Sequence, residues 1–277
     1  MITDALEEMI RKMKKSTETN GTAEKNLKDS DVCPFCNNTG WEEVSKDGQG
    51  VFRECRCGIR QKQIMKGRLS FAEIPETFRD MRLNDFSLDA YKTADGRKAA
   101  SSACKAIKYW LDNLESMEAR GMGLYLYSNT KGSGKTRMAA SIANELMTEK
   151  KMQVKFATSV RIINEIKRSW NKETRVTESN LIDFLSTTQI LVLDDFGTEQ
   201  VKDWIGERFY GIINYRYVEK KITIFTSNES ISNLNYDDRI TNRIKERTFQ
   251  IPFPEESVRE NIAKENMGEL LRGMKGR

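Results

Sequence analysis

The sequence predicts an α/β protein whose core is a parallel, doubly wound sheet, preceded by a small cysteine-rich module. Three observations carry that expectation. Apolar, strand-like runs alternate with segments of helical spacing from Gly121 onward; a glycine-rich turn, Ser128 to Thr136, joins one such run to a helix; and four cysteines crowd between Cys33 and Cys57. Alternating β and α elements require a parallel sheet with helices over its faces.

Taken in order, residues 2–13 place Ile2, Leu6, Met9, Ile10 and Met13 at helical spacing, with acids ahead of lysines as a helix dipole favours. This short amphipathic helix packs either on its own domain or in a partner's groove. Residues 16–31 are polar and read as a linker. Next come Cys33-Pro-Phe-Cys36 and, after a polar hairpin, Cys55-Arg-Cys57. A C-x2-C knuckle and a nearby C-x-C supply four thiolates in a tetrahedron, the ligand set of a closed structural Zn2+ site; an iron–sulfur cluster or free, redox-active thiols are the alternatives. The fifth cysteine, Cys104, lies alone in a helical stretch and reads as a small buried hydrophobe.

Residues 60–69 continue as a basic helix, Ile74 to Phe78 is a turn and docking element, and residues 81–86 lead into helices around Ala90 and from Lys98 to Glu118. Strands are expected near 123–127, 154–157, 190–193, 222–226 and 248–251, with helices over 135–150, 160–170, 181–187, 201–220 and 236–245. Pro252 and Pro254 end the last strand, and a final helix spans 255–272. The expected division is a zinc-binding module over 1–65, a linker and helical lead-in over 66–120, and the core over 121–277.

Composition bounds the function. A chain of 277 residues has room for one core domain with appendages, and 31% charged against 38% hydrophobic residues makes it polar yet globular. No apolar run approaches the roughly 20 residues of a membrane span, and the first residues lack the basic and apolar regions of a signal peptide, so a soluble, cytoplasmic protein with no membrane contact is expected. In that setting disulfides are not expected. A net charge of +5 permits nucleic-acid contact without demanding it. The chain has no histidine, which removes the commonest general base and any mixed Cys/His metal site.

The turn at Asn129, Thr130, Lys131, Gly132, Ser133, Gly134, Lys135 and Thr136 is where phosphate is expected. Backbone N–H groups of Gly132 to Lys135 point into one concavity at the positive end of the following helix, which favours an anion. Lys135 reaches the β and γ phosphates and the Thr136 hydroxyl ligates Mg2+. One position departs from G-x-x-x-x-G-K-[ST]: its first glycine is Asn129, the residue type that best tolerates a left-handed backbone, so the loop is expected to turn there all the same. An ordinary glycine-rich turn is the bland alternative.

A second segment supplies the carboxylates that a bound metal needs. Ile190 to Leu193 is an apolar run ending in Asp194 and Asp195, the pattern of a buried parallel strand that delivers acids at its carboxyl end, where ligands bind in open α/β sheets. Asp194 would orient the Mg2+ and Asp195 polarise the attacking water. A third apolar run, Ile222 to Thr226, ends in Ser227 and Asn228; the Asn side chain either hydrogen-bonds the water or γ phosphate, or belongs to a simple polar turn. Further on, Arg239 and Arg243 share one helix face, which is either solvated or able to reach a neighbouring subunit's γ phosphate, and Arg259 could approach the phosphates of its own chain.

In this order the parts resemble the AAA+ ATPases of the DnaC/DnaI helicase-loader group, close to the IstB-type transposition helpers and in particular to loaders encoded by phages and mobile elements. The resemblance rests on Ile74-Pro75-x-x-Phe78, on Ser128–Thr136 as Walker A, on Ile190–Gly197 as Walker B, on Thr226-Ser227-Asn228 as sensor 1, on Arg239-x-x-x-Arg243 and on the cysteine module. It covers nearly the whole chain. It implies ATP with Mg2+ as the bound nucleotide, Asn228 as the sensor, Arg243 as an arginine finger with Arg239 beside it, and Arg259 as a sensor 2 candidate on a lid reduced to one helix. It also implies a job: contacting a replicative hexameric helicase through the N-terminal module and placing it on single-stranded DNA, with self-association in the ATP-bound form. Arg161, Lys167, Arg168, Trp170, Lys172 and Arg175 suit a DNA contact, Trp170 stacking a base among phosphate-pairing cations, although Glu165 and Glu173 interrupt the run and a solvated face is the alternative. Two other functions stay open: a transposase-helper ATPase, and a nucleotide-dependent inhibitor of a helicase with little turnover, the latter because Asp195 is shorter than the glutamate more common at that position.

Overall fold

The computed structural model describes residues 32–46, 49–60, 73–170, 177–199 and 202–275. The helix expected over 2–13, the linker, most of the helix expected over 60–69, and Lys172 and Arg175 lie outside the described residues. The chain divides into two compact units at Ile64 and Met65.

The first unit is built around the cysteines. Two antiparallel strands, β1 (Trp41–Lys46) and β2 (Gln49–Glu54), pair with Trp41 opposite Glu54. The knuckle before β1 is closed by local bonds: Cys33 N–H donates to Asn38 Oδ1 at 3.0 Å and Asn37 N–H to Cys33 O at 2.9 Å. Arg56 covers the Phe35 ring at 4.1 Å and Arg60 the Trp41 ring at 4.0 Å, cation–π contacts that give so small a unit some of the packing its core lacks.

The second unit begins, in its described part, with a lead-in of three single 3-10 turns within 76–90, followed by α1 (Ala94–Asp112) and α2 (Leu114–Arg120). Then strand and helix alternate: β3 (Gly123–Tyr127), α3 (Lys135–Thr148), β4 (Val154–Thr158), α4 (Ser159–Ser169), α5 (Glu178–Thr187), β5 (Ile190–Asp194), α6 (Asp203–Val218), β6 (Ile222–Ser227), α7 (Asp238–Arg247), β7 (Thr248–Pro252) and α8 (Val258–Lys275). All five strands from β3 on are parallel, in the order β4-β5-β6-β3-β7.

The continuous apolar strands are buried on both faces, as a parallel sheet demands, and successive residues feed opposite cores. Leu124, Leu126, Ile190 and Val192 pack with α1, α2 and α3, whereas Tyr125, Leu191, Leu193 and Phe225 pack with α4 to α7. Neighbouring strands β3 and β6 therefore send their helices to opposite faces, β3 into α3 and β6 into α7. A crevice opens between their carboxyl ends, which is where open α/β sheets bind ligands. Among the described residues no helix is long and apolar enough to cross a membrane.

Candidate functional site

The phosphate loop occupies one wall of that crevice. Gly132 (φ 81°) and Gly134 (φ 96°) are left-handed, and a Cβ on Gly134 would sit 2.8 Å from the Tyr91 hydroxyl, so only glycine fits there. Asn129 is not in the left-handed region, contrary to expectation. The turn is made by the two later glycines, and Asn129 contributes its N–H, which donates to Glu255 Oε1 at 2.9 Å. Lys135 is 6% exposed and its ammonium spans the loop, donating to Ser128 O (3.2 Å), Thr130 O (3.0 Å) and Ser133 Oγ (3.1 Å). Burial pushes its pKa down to about 8, against the pull of Glu255, Asp195 and Asp194. Lys131, by contrast, is exposed.

The acids form the other wall. Asp194, 5% exposed at the end of β5, accepts from Thr226 Oγ at 2.6 Å, and the Thr136 hydroxyl bears on the same carboxylate. Burial holds the carboxyl above its usual range despite both hydroxyls. Asp195 follows with φ 56°, a left-handed turn that Asp tolerates, and its Oδ1 accepts from Asn228 Nδ2 at 2.8 Å. Because β6 lies between β3 and β5, Asn228 emerges between the loop and the acids. Lys135, Thr136, Asp194, Asp195 and Asn228 thus line one crevice.

Four features around the loop carry no sequence motif. Tyr91, 1% exposed, donates to Ser133 O at 2.8 Å from the lead-in. Glu255 accepts from the N–H groups of Asn129 and Thr130, both at 2.9 Å, and from Thr130 Oγ at 2.8 Å. Glu256 reaches α1, accepting from Lys92 N–H (2.5 Å), Thr93 Oγ (2.5 Å) and Thr93 N–H (3.2 Å). Val258 N–H donates to Gly132 O at 3.0 Å, and a Cβ on Gly132 would lie 3.3 Å from the Arg259 side chain, which places Arg259 against the loop. No signal in the sequence joins these residues, since 42 to 164 positions separate the partners.

The arginines of α7 lie along α6, not on the phosphate loop of their own chain. Arg243 donates to Asn214 Oδ1 (2.8 Å) and to Arg239 O (2.7 Å), with its guanidinium 5.1 Å from the Tyr210 ring centre. Arg239 pairs with Asp237 at 2.9 Å and also covers Tyr210. On α4, Arg161 and Arg168 are exposed, and Arg168 pairs with Glu165 at 2.6 Å. Trp170, 52% exposed, already has partners: it meets Trp204 edge-on at 5.0 Å and donates to Glu178 at 2.7 Å, while Lys167 sits 5.9 Å over Trp204. Trp204, on α6, is a member of this surface that the basic run around Trp170 did not announce.

The model of the IstB-like ATP binding protein family matches residues 57–250. The chain belongs to that family. It is similar to the phage-like element PBSX protein XkdC of Bacillus subtilis (strain 168), 26% identical over 220 residues that span 77% of this chain and 78% of that one. It is also similar to the replicative helicase loader DnaI of the same organism, 35% identical over 118 residues, 42% of this chain but only 36% of DnaI's own length. Among solved structures, a crystal structure of the DnaC helicase loader superposes with a TM-score of 0.54 at 22% identity, covering 65% of this chain and 99% of that one, a likeness of fold. The AAA+ fold expected of the chain is the fold found.

The region matched to the IstB-like ATP binding family starts at Cys57, so three of the four module cysteines precede it. Their sulfurs nevertheless converge. Cys33 and Cys55 Sγ are 3.8 Å apart, Cys36 and Cys57 Sγ 3.6 Å, and all four lie within 4.8 Å of one another. Thiolates about 2.3 Å from a tetrahedral zinc stand about 3.8 Å apart, whereas a disulfide needs about 2.05 Å. The set fits zinc. Cys104 is half-buried against the α1–α3 core, and burial raises its thiol pKa.

Proposed function

We propose that this chain is an ATP-hydrolysing loader of a replicative hexameric DNA helicase, acting with single-stranded DNA in the cytoplasm. The observation that carries the ATPase reading is the meeting of Lys135, the Thr136–Asp194 pair and the Asp195–Asn228 pair in one crevice. Bound at Thr136 and Asp194, Mg2+ would neutralise charge on the β and γ phosphates. Lys135, now holding loop carbonyls, would turn its ammonium to the phosphates, which replace those acceptors with anionic oxygens. Asp195 would orient the attacking water, with Asn228 fixing the carboxylate and reading the γ phosphate from the side. Arg259 would approach from its own chain; Arg243, with Arg239 beside it, would serve a neighbour's site in a self-associated form.

The names of the relatives support the loader role. In it, Arg161, Lys167, Arg168 and Trp170 would contact DNA, with Lys172 and Arg175 extending the basic run, and the Zn2+ module would meet the helicase. The first test is whether the protein hydrolyses ATP and captures a hexameric helicase, each lost separately in Lys135→Ala and Cys33→Ser. A helicase captured without turnover would favour the inhibitor reading, which the Asn228 grip on the short Asp195 side chain supports. Capture of a transposase would favour a transposition helper.

A further inference from the structure

The loop after Asp195 carries a second carboxylate that the phosphate site does not use. Glu199 accepts hydrogen bonds from three separate places: Ser159 Oγ at 2.5 Å, Gly197 N–H at 3.2 Å and the Tyr236 hydroxyl. Each donor opens onto a different part of the machine. Ser159, fully buried, is the first residue of α4, and its hydroxyl also lies 3.1 Å from Asp195 O. Tyr236 immediately precedes Asp237, the N-cap of α7. Its ring stacks on Phe196, the residue after Asp195, with centroids 4.8 Å apart and planes 4° from parallel. Phe196 is fixed in turn, its N–H donating to Thr226 O at 2.8 Å and its carbonyl accepting from Ser227 Oγ at 2.6 Å.

We infer that Glu199 is a positioning residue that fastens the acid loop to α4 and α7, so that filling the phosphate site shifts the helix with Arg161 and Lys167 and the helix with Arg239 and Arg243 together. An ionised carboxylate only accepts, and all three neighbours here donate, so the junction has one sense, with the single Ser159 proton shared between Glu199 and Asp195 O. Hydrogen-bond networks that join discrete elements can carry coupling between sites when one of those elements has two arrangements that both sites bias. The inference rests on the reading of the crevice as a nucleotide site.

The arms can be cut one at a time. Tyr236→Phe removes the Glu199 hydrogen bond on the α7 side and keeps the ring stack on Phe196, Ser159→Ala removes the α4 bonds to Glu199 and Asp195 O, and Glu199→Gln disturbs both carboxylate bonds while keeping the shape. Hydrogen exchange of the full chain would be followed with and without a non-hydrolysable ATP analogue and Mg2+. In the unaltered protein the analogue is expected to protect residues 130–136 and to change exchange in the first turns of both helices. Tyr236→Phe should keep the loop protection and the α4 response but lose at least half of the α7 response; Ser159→Ala should show the reverse; Glu199→Gln should lose both. Responses unchanged in Glu199→Gln would overturn the inference, as would their loss together with loop protection, which marks a mere scaffold. Loop protection in the unaltered protein without a response in either helix would overturn it too. If the unaltered protein shows no loop protection, the nucleotide reading itself fails and the inference falls with it.

Discussion

The Thr226 hydroxyl donates to the Asp194 carboxylate and accepts from the Asp195 N–H at 2.9 Å, so one oxygen serves an acid and the backbone amide beside it. Thr226→Val keeps the volume and removes the bonds, leaving a buried carboxylate and an amide short of partners at about 1–3 kcal/mol each. The expected result is a lower melting temperature with slower ATP hydrolysis, read by thermal unfolding and steady-state turnover. Lys135 offers a pH test. Its pKa near 8 in the free protein must rise when anionic phosphate replaces the loop carbonyls. Between the two values binding takes up a proton, and ATP affinity should fall by up to about tenfold per pH unit above the free value. Calorimetry in buffers of differing ionisation enthalpy would reveal that uptake, and its absence would remove the lysine from phosphate contact. These residues were legible because loop, acids and Asn228 each sit in short contiguous motifs at strand ends. Glu199, Tyr91 and Glu255 were not, because each meets its partners only across the fold.

At the scale of elements, one buried and one partly exposed charge hold segments together. Arg216 of α6 is 1% exposed and donates to the carbonyls of Leu185, Ser186 and Thr188, which end α5, and to Thr223 Oγ and Ile222 O. The negative end of the α5 dipole takes the place of a carboxylate. Arg216→Met should destabilise the second unit by roughly 3–5 kcal/mol, because several buried carbonyls lose their donor at once; denaturant unfolding measures this. Glu256 works at the opposite pole, at the amino end of α1. Burial alone would raise its pKa, but the donors from Thr93, Lys92 and Asn261 outweigh it and hold the carboxyl at about 2. Since the folded value lies below the unfolded one near 4.3, its contribution is complete above pH 4.3 and disappears as pH falls toward 2. Glu256→Gln should flatten that acid limb of the stability profile. Strand and helix boundaries of the core were readable to within a few residues from apolar runs and helical spacing. The assignment of helices to sheet faces was not, because it depends on the crossover after β4.

At the scale of the molecule, the two units answer to different chemistry. On the zinc reading, the cysteine module folds only with its metal, whereas the proposed phosphate site calls for Mg2+ and no zinc. Removal of zinc by a zinc-selective chelator in excess Mg2+ should unfold residues 32–60 while ATP affinity stays unchanged, checked by metal analysis and nucleotide titration on the same sample. A loss of ATP affinity in step with zinc would show that the units are not independent.

The segment from Pro254 to Asn261 gives the second unit an effective boundary that its family resemblance does not. The match to the family stops at Gln250, yet Glu255 holds the start of the phosphate loop, Glu256 caps α1 and Asn261 donates to Ala90 O at 3.1 Å. A second unit trimmed at Gln250 would keep the phosphate loop, the two acids and Asn228 and lose the strap that ties them. Anyone choosing limits for recombinant expression should therefore carry the chain at least past Asn261, or expect a nucleotide site whose walls are present and unbraced.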